Sequence, residues 1–514
     1  MTSTEGPNNR YTARLSRRSM LQGAAAMTAL ASIPWSARRA FADESFDVIV
    51  VGGGTAGIPA AIFAAARGAR VVVVEKAPAI GGTLFVSGGM IAGANTVFQQ
   101  ARGIDDSPDA HYDDVMRING NTSDPVLTRL WTDNAGDTIN WLAENGFGIG
   151  PDQPVAGTLY DPYSVPRYQW GSENGGSILK VMKPLLDRHI ENGSVTVLTE
   201  AGAVDLIKGA DGAILGVVTE DRKGKRSDIR GRNVMLTTGG CAANPVMFQN
   251  VHGVPLYRNI AWPFSQGAGL SLGQSGGGYL RGAENYVGYY GSIASDDRIP
   301  SPPAANMSID PKSRAPWEVF VNAYGQRFVR EDHPSLNARD RTMDLQPGHR
   351  FWAVFDQRIL DDAPPLIPAW SRDRFTKSFN EHPMFTRAAT LTELGVLTGI
   401  DPAGLASSID GYNRALQARS PDEFGREYRP LPLLRPPYYA VRSQAWTLKS
   451  YAGLAVNERL QVMTPDGEPV RNLYAAGEVL GAATSGKSHT SGASVTPALT
   501  FGRLLGRSII DVPA

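Results

Sequence analysis

Three glycines and one acid give this chain its first recognisable chemistry. Phe46-Asp47-Val48-Ile49-Val50-Val51 is an apolar run that leads directly into Gly52-Gly53-Gly54-Thr55-Ala56-Gly57, a G-x-G-x-x-G pattern. Glu75 stands 23 positions past Gly52, close to the spacing of about 20 at which a carboxylate grips an adenosine ribose. The residue types suit a dinucleotide. Gly52 allows a tight turn, Gly54 lets the backbone approach a pyrophosphate, and Gly57 lets the following helix pack closely on the strand. The helix N-terminus then offers free N–H groups and roughly half a positive charge to the phosphates.

These residues need a strand, a helix and a second strand to hold them. An Ala-rich apolar segment from Ile58 to Ala66 supplies the helix, and residues 69–74 supply the second strand, which ends on Glu75. Trp131, Ile139, Trp141 and Leu142 recur at helical spacing within a helical region from about 108 to 145. A Pro-, Tyr- and Gly-rich stretch at 151–176 is too long for a simple connection. It reads either as a surface or dimer loop, or as a site wall using Tyr163, Tyr168 or Trp170. Residues 195–199, 203–208 and 213–220 predict a small β-meander, and 234–240 a buried strand returning to the first sheet. From about 278 to 431 the periodicity is irregular and punctuated by prolines.

Composition narrows the function classes. The 514 residues carry 50 Lys+Arg and 50 Asp+Glu, with no basic block outside the N-terminal segment, so nucleic-acid binding has no electrostatic support. With 56 Gly and 35 Pro the chain suits a loop-rich α/β enzyme rather than a coiled coil. Cys241 is the single cysteine, and no Cys/His cluster has ligand spacing, so neither an intramolecular disulfide nor a metal site is expected. Residues 1–42 read as a twin-arginine export signal. Ser16-Arg17-Arg18-Ser19-Met20-Leu21 precedes an apolar stretch too short to span a bilayer, and Ala40-Phe41-Ala42 offers small residues for cleavage before Asp43. The mature protein is therefore expected outside the cytoplasmic membrane, exported already folded, with no stable membrane span.

Glu75-Lys76-Ala77-Pro78-Ala79-Ile80-Gly81-Gly82-Thr83 is followed by Ser87-Gly88-Gly89-Met90. Near the C-terminus stand Asn472-Leu473-Tyr474-Ala475-Ala476-Gly477-Glu478 and Thr500-Phe501-Gly502-Arg503. Through these motifs the chain resembles the fumarate reductase / succinate dehydrogenase flavoprotein superfamily, which includes the 3-ketosteroid Δ1-dehydrogenases. The resemblance runs over roughly residues 46 to 510. It implies FAD as the dinucleotide and an α/β fold: a Rossmann-like FAD-binding domain at 43–278 and 432–514, with an inserted α+β capping domain for substrate at 279–431. It also implies cofactor contacts from Gly52, Gly54, Thr55, Ala56, Gly57, Glu75, Lys76, Gly82, Thr83, Ser87, Gly88, Gly89, Gly240, Gly477 and Glu478. A helix starting near Ser494 and Val495 would aim its N-terminus at the flavin O2 and N1. Gly325-Gln326-Arg327-Phe328-Val329-Arg330-Glu331 resembles the family's G-x-R-F-x-x-E, while Gly267-Ala268-Gly269 lacks the Asp of its T-G-D-G. No His follows Gly82 where relatives attach FAD covalently, so non-covalent FAD is expected.

Fumarate reductases clamp a dicarboxylate with two histidines and an arginine, and a second arginine delivers a proton. By the same motifs Tyr290, in Asn285-Tyr286-Val287-Gly288-Tyr289-Tyr290-Gly291, takes the place of the first histidine. Lys449 or a neighbour takes that of the second, His489 that of the clamping arginine and Ser335 that of the proton donor, with Arg339 four residues on. Gly486-Lys487-Ser488-His489-Thr490-Ser491-Gly492 resembles instead the ketosteroid dehydrogenases' G-R-S-Y-P-G-A-G, with His489 for the ketone-binding tyrosine. The candidate catalytic residues are Tyr290, His489, Lys449, Tyr451 and Arg339, with Tyr290 and His489 as base and oxygen donor. A donor on a carbonyl oxygen makes the α-proton acidic, a base takes it, and the β-hydrogen leaves as hydride to flavin N5. The expected function is an exported FAD-dependent dehydrogenase that introduces a C=C bond next to a carbonyl in a cyclic ketone or steroid-like small molecule. Its electrons would pass to an external acceptor (a quinone, a cytochrome or oxygen). The alternative is a fumarate- or enoate-type reductase that uses Lys449 and His489 as a new carboxylate clamp.

Overall fold

The computed structural model describes residues 45–509 apart from residue 259. The expected export signal lies outside the described residues. The main sheet runs Gln461–Met463, Pro469–Ala475, Arg226–Leu236, Ser45–Val51, Val71–Val74, Val195–Leu198. The last five of these strands are parallel, and only the first pair is antiparallel. Val48, Ile49, Val50, Val71 and Val72 are fully buried. Strands covered on both faces need such unbroken apolar runs, which is why this core carries no alternation.

Helix Gly57–Ala66 follows the first strand and crosses the C-terminal helix Val495–Ser508 at close range. A Cβ at Gly502 would stand 2.1 Å from the Ala56 carbonyl oxygen, and one at Gly506 2.5 Å from that of Ala60. The Gly in Thr500-Phe501-Gly502-Arg503 is therefore a packing requirement. It brings the N-terminus of the last helix beside the glycine-rich turn. The helical region at 108–145 is two helices, Pro108–Asn119 and Pro125–Glu144. Gly120 ends the first in the left-handed region, and Asp124 caps the second.

Two expectations need correction. Val195–Leu198 does not open the meander but pairs in parallel with Val71–Val74 at the sheet edge. The meander is Ala201–Lys208, Ile214–Asp221 and the first half of Arg226–Leu236, whose second half enters the parallel sheet. The expected return from the cap at 432 comes later. A second core forms around an antiparallel sheet ordered Val319–Val321, Arg350–Asp356, Tyr438–Gln444, Phe385–Ala388, so 438–444 still belongs to the inserted region. Phe320, Phe351, Phe355, Phe379, Phe385 and Tyr439 fill that core. The G-x-R-F-x-x-E segment braces it. Arg327 pairs with Glu331 (2.8 Å) and with Asp422 (2.6 Å), all three being buried. No helix among the described residues is long and apolar enough to cross a membrane.

Candidate active site

The carboxyl ends of the parallel strands open into a cavity of about 810 Å3. Of the expected cofactor residues, Gly52, Gly54, Thr55, Ala56, Glu75, Lys76, Gly82, Thr83, Ser87, Gly477, Glu478, Ser494 and Val495 form its wall. Gly57, Gly88, Gly89 and Gly240 do not line it. Gly57 acts through packing, since a Cβ there would lie 2.0 Å from the Gly52 carbonyl oxygen. Gly52 itself has φ +104°, a conformation that suits glycine, and a Cβ there would meet the Thr237 carbonyl oxygen at 2.6 Å. Thr237, Thr238 and Gly239 also line the cavity, as do residues 200–205 and 220–222 of the meander. Nothing local in the sequence marks these as cofactor residues, because they join the site only through sheet pairing.

Three features fit the wall to a dinucleotide. Beyond the Gly54 Cα there is open space: an added Cβ would meet nothing nearer than the Gly82 Cα at 3.7 Å. The Glu75 carboxylate is buried and accepts the Gly53 N–H (2.8 Å) and the Ala77 N–H (2.7 Å), which fixes it at the end of its strand. Burial raises its pKa while those N–H groups oppose the shift. Ser494, at the start of Val495–Ser508, makes no side-chain cap; the Thr496 N–H is taken by the Gly492 carbonyl (3.1 Å) and Pro497 has none, so it is the N–H of Val495 and the positive end of the helix dipole that the first turn offers.

The five candidate catalytic residues divide sharply. Lys449 alone reaches the cavity wall. Its Nζ donates to Ser485 Oγ at 2.9 Å and stands 3.5 Å from Ser494 Oγ. Tyr290 donates its hydroxyl to Asp344 Oδ1 (2.8 Å), and burial with that carboxylate pushes the phenol well above its ordinary pKa, which makes it a poor base. Tyr451 is buried with its hydroxyl on the Val287 carbonyl. Arg339 is buried and donates to the carbonyls of Ile309 and Glu331. Both bind backbone carbonyls and neither lines the cavity.

His489 lies one layer back. Its ring stacks on Tyr289 (centroids 3.8 Å apart) and packs against Tyr160 (4.7 Å). Nε2 lies 3.2 Å from the Gly288 carbonyl, which can only accept, so Nε2 carries the hydrogen in this hydrogen-bond pattern. Burial pushes His489 down to about 3, so the imidazole is neutral. Asp340 Oδ2 lies 3.7 Å away, yet burial raises that carboxyl well above its usual range. With the imidazole neutral, the two do not form an ion pair. The residue that does face the cavity is Tyr289, clamped between His489 and Trp446 (4.8 Å). Tyr289 and Trp446 exchange backbone hydrogen bonds (2.8 and 3.0 Å) across an antiparallel bridge. In extended backbone neighbouring side chains point to opposite faces, so Tyr289 faces the cavity while Tyr290 turns into the cap.

The 151–176 stretch contributes differently from either expectation. Tyr163 and Tyr168 are buried, and Tyr163 donates to the Ser491 carbonyl, tying this stretch to the His489 loop. Asn337 of the cap completes that tie by accepting the His489 N–H at 2.8 Å and donating to Asp161 at 3.1 Å.

The FAD binding domain family matches residues 47–495. A fumarate reductase (cytochrome) of Shewanella frigidimarina is 25% identical over 90% of this chain and 76% of its own length. A 4-oxocyclohexanecarboxylate 2-dehydrogenase of Sinomonas cyclohexanicum is 26% identical over 91% of this chain and 93% of its own. Among solved structures, the 3-ketosteroid Δ1-dehydrogenase of Sterolibacterium denitrificans shares the fold, with a TM-score of 0.67 at 20% identity, covering 91% of this chain and 99% of that one.

Proposed function

This chain belongs to the FAD binding domain family and is an FAD-dependent oxidoreductase acting on carbon–carbon bonds, and from that footing we propose that it dehydrogenates a carbonyl compound, introducing a C=C bond next to the carbonyl of a cyclic ketone. The observation that carries this reading is the charge on the cavity wall. Its cationic side chains among the described residues are Lys76, Arg222 and Lys449. Arg222 pairs with Glu200 (2.8 Å), and Lys76 lies against the meander strand Ala201–Lys208. A dicarboxylate would therefore find one cation, Lys449, for two charges that must leave water, and an unpaired buried charge is costly. Tyr289, Trp262 and Phe264 on the same wall suit a flat apolar ring with one polar handle. The name of the Sinomonas relative, which describes dehydrogenation of a ring ketone, supports the same direction.

Bound FAD supplies the hydride acceptor. The chain supplies binding and polarisation. Tyr289 presents its phenol to the carbonyl oxygen, where a hydrogen bond stabilises the negative charge that grows as the α-proton leaves. His489 and Trp446 hold that ring in place, so no reorganisation is needed when the charge develops. Mixing the oxidised holoenzyme anaerobically with saturated cyclic ketones should bleach the flavin, and succinate should not. Bleaching by succinate faster than by any ketone would refute the reading. The reverse chemistry, suggested by the Shewanella relative's name, would be favoured if fumarate reoxidised the reduced enzyme and Lys449→Ala abolished that reaction.

FAD is held without a covalent bond in this reading, since Thr83 and Leu84 follow Gly82. Acid precipitation should leave the yellow colour in the supernatant, and colour in the pellet would contradict it. We further propose export through Arg17 and Arg18, with electrons passing on to an external quinone, cytochrome or oxygen. Replacing both arginines with lysine should retain flavin-loaded protein in the cytoplasm, whereas unchanged export would exclude the twin-arginine route.

A further inference from the structure

We propose that Lys449 is a redox-tuning residue whose ammonium is the fixed counter-charge for the negative charge that bound FAD carries once reduced. This rests on flavin binding, not on which substrate is oxidised. Lys449 Nζ lies between Ser485 Oγ and Ser494 Oγ, the latter at the leading end of Val495–Ser508. Ammonium and helix N-terminus, two positive groups, thus stand together on the cavity wall. No carboxylate among the described residues pairs with Nζ; Glu478 acts on it from beyond ion-pair distance, with Oε1 accepting the Ser450 N–H at 2.9 Å. Two positive groups gathered in a protein interior with no anion in contact, and only Glu478 acting from farther off, are left under-compensated until a further anion arrives, and the open side of this pair is the cavity.

Charge balance indicates which anion. A hydride taken from the substrate carbon brings two electrons and one proton to the flavin, while the second substrate hydrogen leaves as a proton to solvent. The flavin therefore gains one negative charge that a nearby cation stabilises. The other groups around Lys449 do not compete for it: the Tyr451 ring lies 5.2 Å from Nζ, and His489 is neutral. Burial holds Lys449 down at about 8, with Glu478 opposing the shift. In the absence of an anion the ammonium is thus loosely held, and it becomes firmly protonated when the negative charge forms.

Sulfite tests this without substrate, because it donates its lone pair to flavin N5, forming an S–N bond and leaving the flavin with the same added charge. FAD-loaded Lys449→Met should bind sulfite about tenfold or more weakly and show a lower flavin midpoint potential by dye equilibration. Lys449→Arg, which keeps the charge, should restore both. Unchanged sulfite affinity and potential in Lys449→Met would overturn the proposal. So would a parental potential combined with a raised KM for an acidic substrate, which would assign the ammonium to a substrate carboxylate. If Lys449→Met loses FAD, the unaltered holoenzyme decides the question. Where sulfite is already its dianion, its affinity should fall as pH rises through the Lys449 titration, and a flat profile one unit either side would overturn the proposal.

Discussion

Gly54→Val yields a folded protein that purifies without FAD. A Cβ at this position meets only the Gly82 Cα, at 3.7 Å, so the polypeptide tolerates the side chain. The added methyls project instead into the space that the dinucleotide needs, where the backbone must come close to a pyrophosphate. A loss of at least a hundredfold in affinity, about 2.7 kcal/mol, is expected. It is read as flavin absorbance per protein, with an unchanged circular dichroism spectrum. Gly57→Val is the contrasting case. There the clash is with the Gly52 carbonyl oxygen at 2.0 Å, so folding itself fails. Stoichiometric flavin in Gly54→Val would mean that the glycine-rich turn does not hold the cofactor.

Tyr289→Phe slows flavin reduction by a cyclic ketone about 10²–10³-fold, the size of effect seen when one donor to a developing oxyanion is removed. FAD content stays stoichiometric, and the substrate concentration at half-saturation changes much less than the rate, because the lost interaction strengthens with transition-state charge. Tyr290→Phe behaves differently. It removes the hydrogen bond to buried Asp344, leaving the Gly288 N–H on the same oxygen, so it costs stability of about 1–3 kcal/mol with little effect on the reductive rate. If Tyr290→Phe were the slow enzyme and Tyr289→Phe the normal one, the assignment would be reversed.

That adjacent pair shows where sequence reasoning stopped. The cofactor half of the site was legible because its signals are local. A strand, three glycines at fixed spacing and a terminal acid specify a turn, a close approach and a ribose anchor within some thirty residues. The substrate half depends on pairing between distant segments. Whether Tyr289 or Tyr290 faces the cavity is set by an antiparallel bridge to Trp446, and a shift of one residue exchanges the two faces. His489 was found in its loop, but its neutral state follows from burial under Tyr160 and Tyr289, residues far from it in sequence. Arg339 and Tyr451 carried polar groups that looked available. The fold uses them to satisfy buried backbone carbonyls away from the cavity. The boundary of the inserted region slipped for a similar reason, since Tyr438–Gln444 belongs to the cap only by pairing with Arg350–Asp356.

The most direct measurement is an anaerobic single turnover of the oxidised holoenzyme with a saturated cyclic ketone deuterated at the β-carbon, followed by flavin absorbance and by mass of the product. The expected result is full bleaching of the flavin, one equivalent of product lighter by two hydrogens with the double bond next to the carbonyl, and a slower bleach for the deuterated compound. An unbleached flavin across a panel of ring ketones, together with rapid reoxidation of reduced enzyme by fumarate, would contradict it.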